Sequence, residues 1–175
     1  MLGHTLFNIR TQILSAMFLC LGTIGAIAEE LPQPVGEPIL VVSGLLSNTN
    51  SDDAARIDLD MLKNLPQSEF STDTIWTDEV NTFVGVSLYD LVKFLGVTGT
   101  TISAIAINDY AIEIPVSDAV EGGPIIAYLM DGEELSARDK GPLWIIYPFD
   151  DNEDYRNEQI YSRSIWQLDR IEIFE

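Results

Sequence analysis

Beyond residue 28 this chain of 175 residues has neither a cysteine nor a histidine; its single copy of each, His4 and Cys20, falls within the first 28 positions. A domain built from the remainder cannot be stapled by a disulfide or nucleated around a zinc ion held by His or Cys. It also lacks a Cys nucleophile and a Ser-His-Asp triad. Copper and haem sites draw on His, Cys or Met, and two of those three are gone. What is left to hold such a domain together is side-chain packing.

The first 28 residues read as a leader rather than as part of that domain. Residues 1–10 carry Arg10 and no acid, residues 13–27 are almost wholly apolar, and Ala26-Ile27-Ala28 precedes Glu29. A charged start, a short apolar stretch and an A-x-A site make a secretory signal, so cleavage after Ala28 and a periplasmic location are expected. The apolar stretch is short of the roughly 20 residues a membrane span needs. Leu19 precedes Cys20 where a lipoprotein signal calls for a small residue. All 28 acidic residues follow Ala28, against nine Lys and Arg of which Arg10 is one, and the whole chain carries a formal charge of -19. A surface this negative repels nucleic-acid backbones and anionic lipid, so neither nucleic acid nor direct membrane binding is expected. Solubility and a basic protein partner both account for the acidity.

Residues 29–38 hold three prolines and no period, which marks an N-terminal arm or linker ahead of one domain over residues 39–175. A first strand is expected at residues 39–46 and a polar loop at 47–55. A short helix follows at 59–65, stopped by Pro66. Alternation of Phe70, Thr72, Thr74 and Trp76 predicts a strand over residues 69–76. Ser87 opens a helix whose apolar face is Leu88, Leu91, Val92 and Leu95, and Gly96 ends it. A β-rich half comes next. It has a hairpin turning at Asn108-Asp109, a helical turn or loop at 116–120, and a strand ending at Asp131-Gly132. A strand at 143–148, an acidic loop at 150–155 and a last strand near 170–174 complete it. The acidic loop has calcium-loop composition without the glycine and spaced glutamate of an EF-hand. Short strands mixed with short helices give an α+β fold, a mixed sheet or open barrel.

Four blocks in the second half carry a resemblance. They are Asn108-Asp109-Tyr110 followed by Glu113-Ile114-Pro115; the run from Ile126 through Leu129-Met130-Asp131-Gly132 to Leu135; Gly141-Pro142-Leu143-Trp144-Ile145-Ile146-Tyr147-Pro148; and Ser164-Ile165-Trp166-Gln167-Leu168-Asp169-Arg170-Ile171-Glu172-Ile173. Phe83-Val84-Gly85-Val86-Ser87-Leu88 extends the match towards the N-terminus. In order and spacing they resemble the molybdopterin-binding domain of sulfite oxidase-type enzymes. In those enzymes a cysteine near the end of the strand before this helix start binds molybdenum. Here that stretch is Ser71-Thr72-Asp73-Thr74-Ile75-Trp76-Thr77-Asp78, and Trp76 lies near the cysteine's place. The chain is similar to small periplasmic members of the fold that lack the cysteine and look like pterin-responsive regulators.

That resemblance implies a ligand of pterin type, no bound metal and no catalysis. It also implies a protein partner: the periplasmic region of an inner-membrane signalling protein such as a cyclic di-GMP synthase or phosphodiesterase. The chemistry of the side chains nominates a site. Trp76 offers a stacking face to a flat heterocycle. Arg163, in Tyr161-Ser162-Arg163-Ser164, offers a bidentate grip on a ring edge or a phosphate. Tyr161, Ser164, Tyr110, Lys140 and Arg156 complete the set of candidate contacts. Each has an ordinary alternative: Trp76 as a core aromatic, the cations as partners of nearby acids. Two other functions stay open on sequence alone, a molybdopterin-dependent oxidoreductase and a protein-interaction module with a vestigial pocket.

Overall fold

A computed structural model describes residues 31–175. The leader, and with it the expected cleavage site, lies outside the described residues. In chain order the elements are β1 (Leu40–Gly44), β2 (Ala54–Ile57), α1 (Leu59–Lys63), β3 (Gln67–Thr72), β4 (Asn81–Ser87), α2 (Leu88–Leu95), β5 (Thr101–Ala106) and β6 (Ala111–Pro115). They continue as β7 (Ile125–Met130), β8 (Glu133–Glu134), β9 (Trp144–Ile146), α3 (Glu158–Arg163) and β10 (Leu168–Phe174), with single 3-10 turns at Val116–Asp118 and Glu153–Tyr155. The fold is α+β. Among the described residues no helix is long and apolar enough to cross a membrane.

The strands form two sheets rather than one. The first runs β2-β1-β10-β5-β6, and the second β3-β4-β7-β8 with β9 also on β7. Among the described residues only β1 and β10 pair in parallel, Val42 opposite Ile171; the other strand pairs are antiparallel, which makes the first sheet mixed and the second purely antiparallel. Alternation decides which faces meet. Along β5 every second residue, Ile102, Ala104 and Ala106, is buried. β9 is buried at every position, as expected of a strand enclosed on both faces. The two sheets are sewn together by the segment just before β10. Trp166 bridges Trp144, the Ile145 amide donates to the Ile165 carbonyl at 2.9 Å, and the Leu168 amide to the Leu143 carbonyl at 2.9 Å.

Local chemistry sets the helix ends as the sequence predicts. The Ser87 hydroxyl accepts from the Asp90 amide at 2.9 Å and donates to its carboxylate, and Gly96 closes α2 at φ 61°. α3 is not legible from periodicity, because in six residues it buries only Ile160. Asn157 starts it by accepting from the Ile160 amide. The strand expected over 69–76 stops at Thr72. There Asp150 takes the Asp73 amide at 2.8 Å and gives its own amide to the Thr72 hydroxyl at 3.1 Å. That diverts the chain into a turn in which the Trp76 amide bonds the Thr74 hydroxyl at 3.1 Å. β2 lies at the end of the expected polar loop, and the acidic pair of β8 gave no strand signal.

The arm is packed rather than free. Leu31 is buried in the core, and the buried Asn50 side chain donates to the Pro32 and Arg56 carbonyls at 2.8 Å each. Asp58 is the clasp. One carboxylate oxygen accepts the Val35 and Gly36 amides at 2.8 and 2.7 Å; the other caps α1 through the Met61 amide at 2.8 Å. These amides, Gly36 first, hold the Asp58 carboxyl below its ordinary range despite the opposing effect of burial. A depressed folded-state pKa contributes stability that is present above the unfolded value and lost as pH falls through the folded one. Asp58→Ala is therefore expected to cost about 1–2 kcal/mol at neutral pH. The difference from the parent, read by urea melts, should shrink once the pH drops below about 4, the ordinary aspartate range.

Candidate ligand-binding site

The seam between the sheets opens on one side into a cavity of about 350 Å³. Its wall is assembled from three places in the chain. The turn after β3 brings Trp76; the hairpin between β5 and β6 brings Ala106, Asn108 and Tyr110; the end of α3 and the seam bring Tyr161, Ser162, Ser164, Ile165, Trp166 and Gln167. Trp76 sits at the centre of the aromatic cluster. Its ring centroid lies 5.9 Å from Trp144, 5.9 Å from Tyr161 and 5.8 Å from Trp166, all near-perpendicular, and 6.3 Å from Phe149. Edge-to-face packing of this kind contributes roughly 0.5–1.5 kcal/mol per pair beyond burial. Trp76 is thus both a partly buried member of the core and a wall of the cavity.

The wall keeps polar edges in hand. Among the described residues its hydrogen bonds engage the Asn108 side-chain oxygen, the Ser162 and Ser164 hydroxyls and the Gln167 amide nitrogen. They leave the Trp76 and Trp166 indole N–H groups and the Tyr110 and Tyr161 hydroxyls uncommitted. Tyr110 is 53% exposed and Trp166 39%, high values for rings of this size, and both border the cavity. Gln167 holds a left-handed φ of 54°, an uncommon choice for a non-glycine residue. Its backbone explains the conformation: the amide donates to the Lys140 carbonyl across the seam, while the carbonyl accepts from Ile107 on the β5 side of its own sheet. The β10–β5 register shifts just beyond it.

Of the side chains nominated from sequence, Trp76, Tyr110, Tyr161 and Ser164 line this cavity; Arg163, Lys140 and Arg156 do not. Arg163 pairs with Asp118 at 2.8 Å, and the same carboxylate oxygen accepts from the Tyr147 hydroxyl at 2.8 Å. Burial, reinforced by the Asp118 charge, pushes the Tyr147 phenol far above its usual range, so it stays a donor. Lys140 pairs with Asp139 at 3.2 Å and lies 5.8 Å from the Trp144 ring centroid. Arg156 pairs with Asp150, donates to the Phe149 carbonyl at 3.0 Å and approaches Asp73 at 3.9 Å, so it braces the turn that presents Trp76. Trp166, Asn108 and Gln167 were not singled out. The one sequence signal for Trp166 was its place in the closing block, where an indole reads equally as core. Among the described residues no group of three or more His, Cys, Asp or Glu is placed to hold a metal ion.

The Arg163–Asp118–Tyr147 link ties the end of α3 to the turn after β6. Arg163→Ala is expected to cost about 2 kcal/mol in a urea melt, since it strips a charge-assisted bond from a largely buried carboxylate. Exposed Arg138→Ala should stay within about 0.5 kcal/mol of the parent. Equal melts for the two variants would refute this structural assignment of Arg163.

No protein-family model matches this chain, and no curated protein matches it. Among solved structures it is similar to the sulfane dehydrogenase SoxCD from Paracoccus pantotrophus, with a TM-score of 0.58 at 16% sequence identity. The match covers 77% of this chain and 37% of that one, so this chain spans little more than a third of its length. At this identity the likeness is one of fold alone. At that distant level it agrees with the sulfite oxidase-type fold implied by the four sequence blocks.

Proposed function

We propose that this protein is a non-catalytic binder of a flat, pterin-type heterocycle, held in the aromatic cavity at the seam. The observation that carries the reading is the convergence of Trp76, Tyr161, Trp166 and Tyr110 on one cavity, with amide and hydroxyl groups among them. Rings give a heterocycle its stacking surface, worth roughly 1–3 kcal/mol per stacked base-like ring. The free indole and phenol donors, with the Asn108 and Gln167 amides, supply the edge contacts that tell one heterocycle from another. A cavity of about 350 Å³ falls in the range that encloses small ligands. Within this proposal the protein works in the periplasm and reports occupancy to the periplasmic region of an inner-membrane signalling protein. The acidic surface suits a basic docking face on that partner.

The shared fold favours one second reading, an oxidoreductase that uses molybdopterin. The donor set does not fit that group. The wall holds no thiolate for molybdenum, no Lys or Arg for a cofactor phosphate, and an indole near the place the resemblance gives to the ligating cysteine.

Calorimetric titration with a pterin tests the binding reading. Trp166→Ala should weaken binding by about ten- to a hundredfold, because roughly 1.4 kcal/mol is a factor of ten. Its melting temperature should fall by less than that of Trp76→Ala, because it loses two ring contacts where Trp76 loses four and the Trp166 ring is partly exposed. Trp76→Ala should weaken binding as much and also lower stability, because it removes contacts to Trp144 and Phe149. Normal pterin affinity in Trp166→Ala would remove the cavity from the proposal, and no affinity in the parent would leave an interaction module. Metal analysis of protein from its native source separates the oxidoreductase: molybdenum well below one atom per chain is expected, and stoichiometric molybdenum would reverse the assignment.

A further inference from the structure

Resting on the pterin-type reading, we infer that the cavity selects by charge: it takes an uncharged or cationic heterocycle and rejects the same ring bearing a phosphate. The wall that would meet such a group is made of aromatic rings, amides, hydroxyls and aliphatic carbon, with no Lys or Arg. The cations around it are committed. Arg163 is held by Asp118, Arg156 by Asp150 and Lys140 by Asp139, while Arg170 is shared between Asp109 and Asp169. Arg138 is exposed and lies outside the wall.

Two further features push the same way. Asp109 stands between the wall residues Asn108 and Tyr110 and is paired with Arg170, so that rim offers no unpaired cation. On the opposite side the cavity meets the last turn of α3, at Tyr161, Ser162 and Ser164. The C-terminal end of a helix carries partial negative charge, and the Gln159, Ile160 and Tyr161 carbonyls there are engaged by Ser162 and Ser164 rather than by a cation. A phosphate brought here would lose water without gaining a cation, and buried charge without a partner is strongly disfavoured. The charge of -19 adds a long-range repulsion on top of this local one. Rings lose nothing by this arrangement: a cation gains from aromatic faces, and a neutral heterocycle stacks as well as before.

The test compares 6-hydroxymethylpterin with its monophosphate ester by calorimetry, at low and at near-physiological salt. At about 20 mM salt the ester should bind at least about tenfold more weakly. That gap should narrow but persist at about 150 mM, where only the long-range part is screened. S162K, which puts an ammonium on the wall, should raise the ratio of ester to neutral affinity by about tenfold or more. Equal or tighter binding of the ester to the parent would overturn the charge selection while leaving the pterin reading intact. So would a ratio unmoved by S162K. Binding of neither compound would overturn the pterin reading and the selection with it.

Discussion

Residues 165–168 do for this molecule what a covalent staple does for a small disulfide-bonded domain. Two sheets of five strands have to be held together without a disulfide or a zinc ion drawn from the residues after 28. The seam meets that demand with backbone pairing between Ile145 and Ile165 and between Leu143 and Leu168, and with Trp144 locked beneath it. Trp144 is fully buried, its indole N–H is satisfied by the Ser164 carbonyl at 3.1 Å, and its ring packs edge-on against Phe83, Trp76 and Trp166. A large ring with its one polar atom paired stabilises a core without the cost of an orphaned donor.

The candidate site is a by-product of the same construction. Where the seam leaves β9 for β10, Trp166 and Gln167 reach the surface, and the end of α3 and the β5–β6 hairpin close on them. The cavity therefore has rigid walls. Trp76 is fixed by four aromatic neighbours, and the turn that presents it is braced by Asp150 and Arg156. A wall already in place needs little ordering when a ligand arrives, which favours affinity from a modest number of contacts.

Charge is distributed with the same economy. Eight cations follow residue 28 in a chain with 28 acids, and three of the ion pairs around the cavity join elements: Arg163–Asp118 ties α3 to the turn after β6, Arg156–Asp73 the acidic loop to the Trp76 turn, and Arg170–Asp109 the β10 strand to the hairpin. In a chain so acidic, a guanidinium finds a carboxylate before it finds a ligand. This is the physical reason that Arg163, chosen from its position beside the closing block, braces the fold instead of lining the cavity.

By itself the sequence determined the α+β class, the capped helix between Ser87 and Gly96, the Asn108-Asp109 hairpin and most of the strands. Each of these is written in neighbouring residues: a cap, a turn pair, an alternation of two. It also determined what the domain could not contain, since missing residue types are missing in any conformation. The tertiary structure alone decided that the strands divide into two sheets, that β3 stops short of Trp76, that α3 exists, and that Trp166 and Gln167 face a cavity while Arg163 does not. Those outcomes depend on partners far away in the chain, Asp150 for Thr72, Asp118 for Arg163, Trp144 for Trp166. Local pattern records which way a side chain can point, and only the distant partner settles what it meets there.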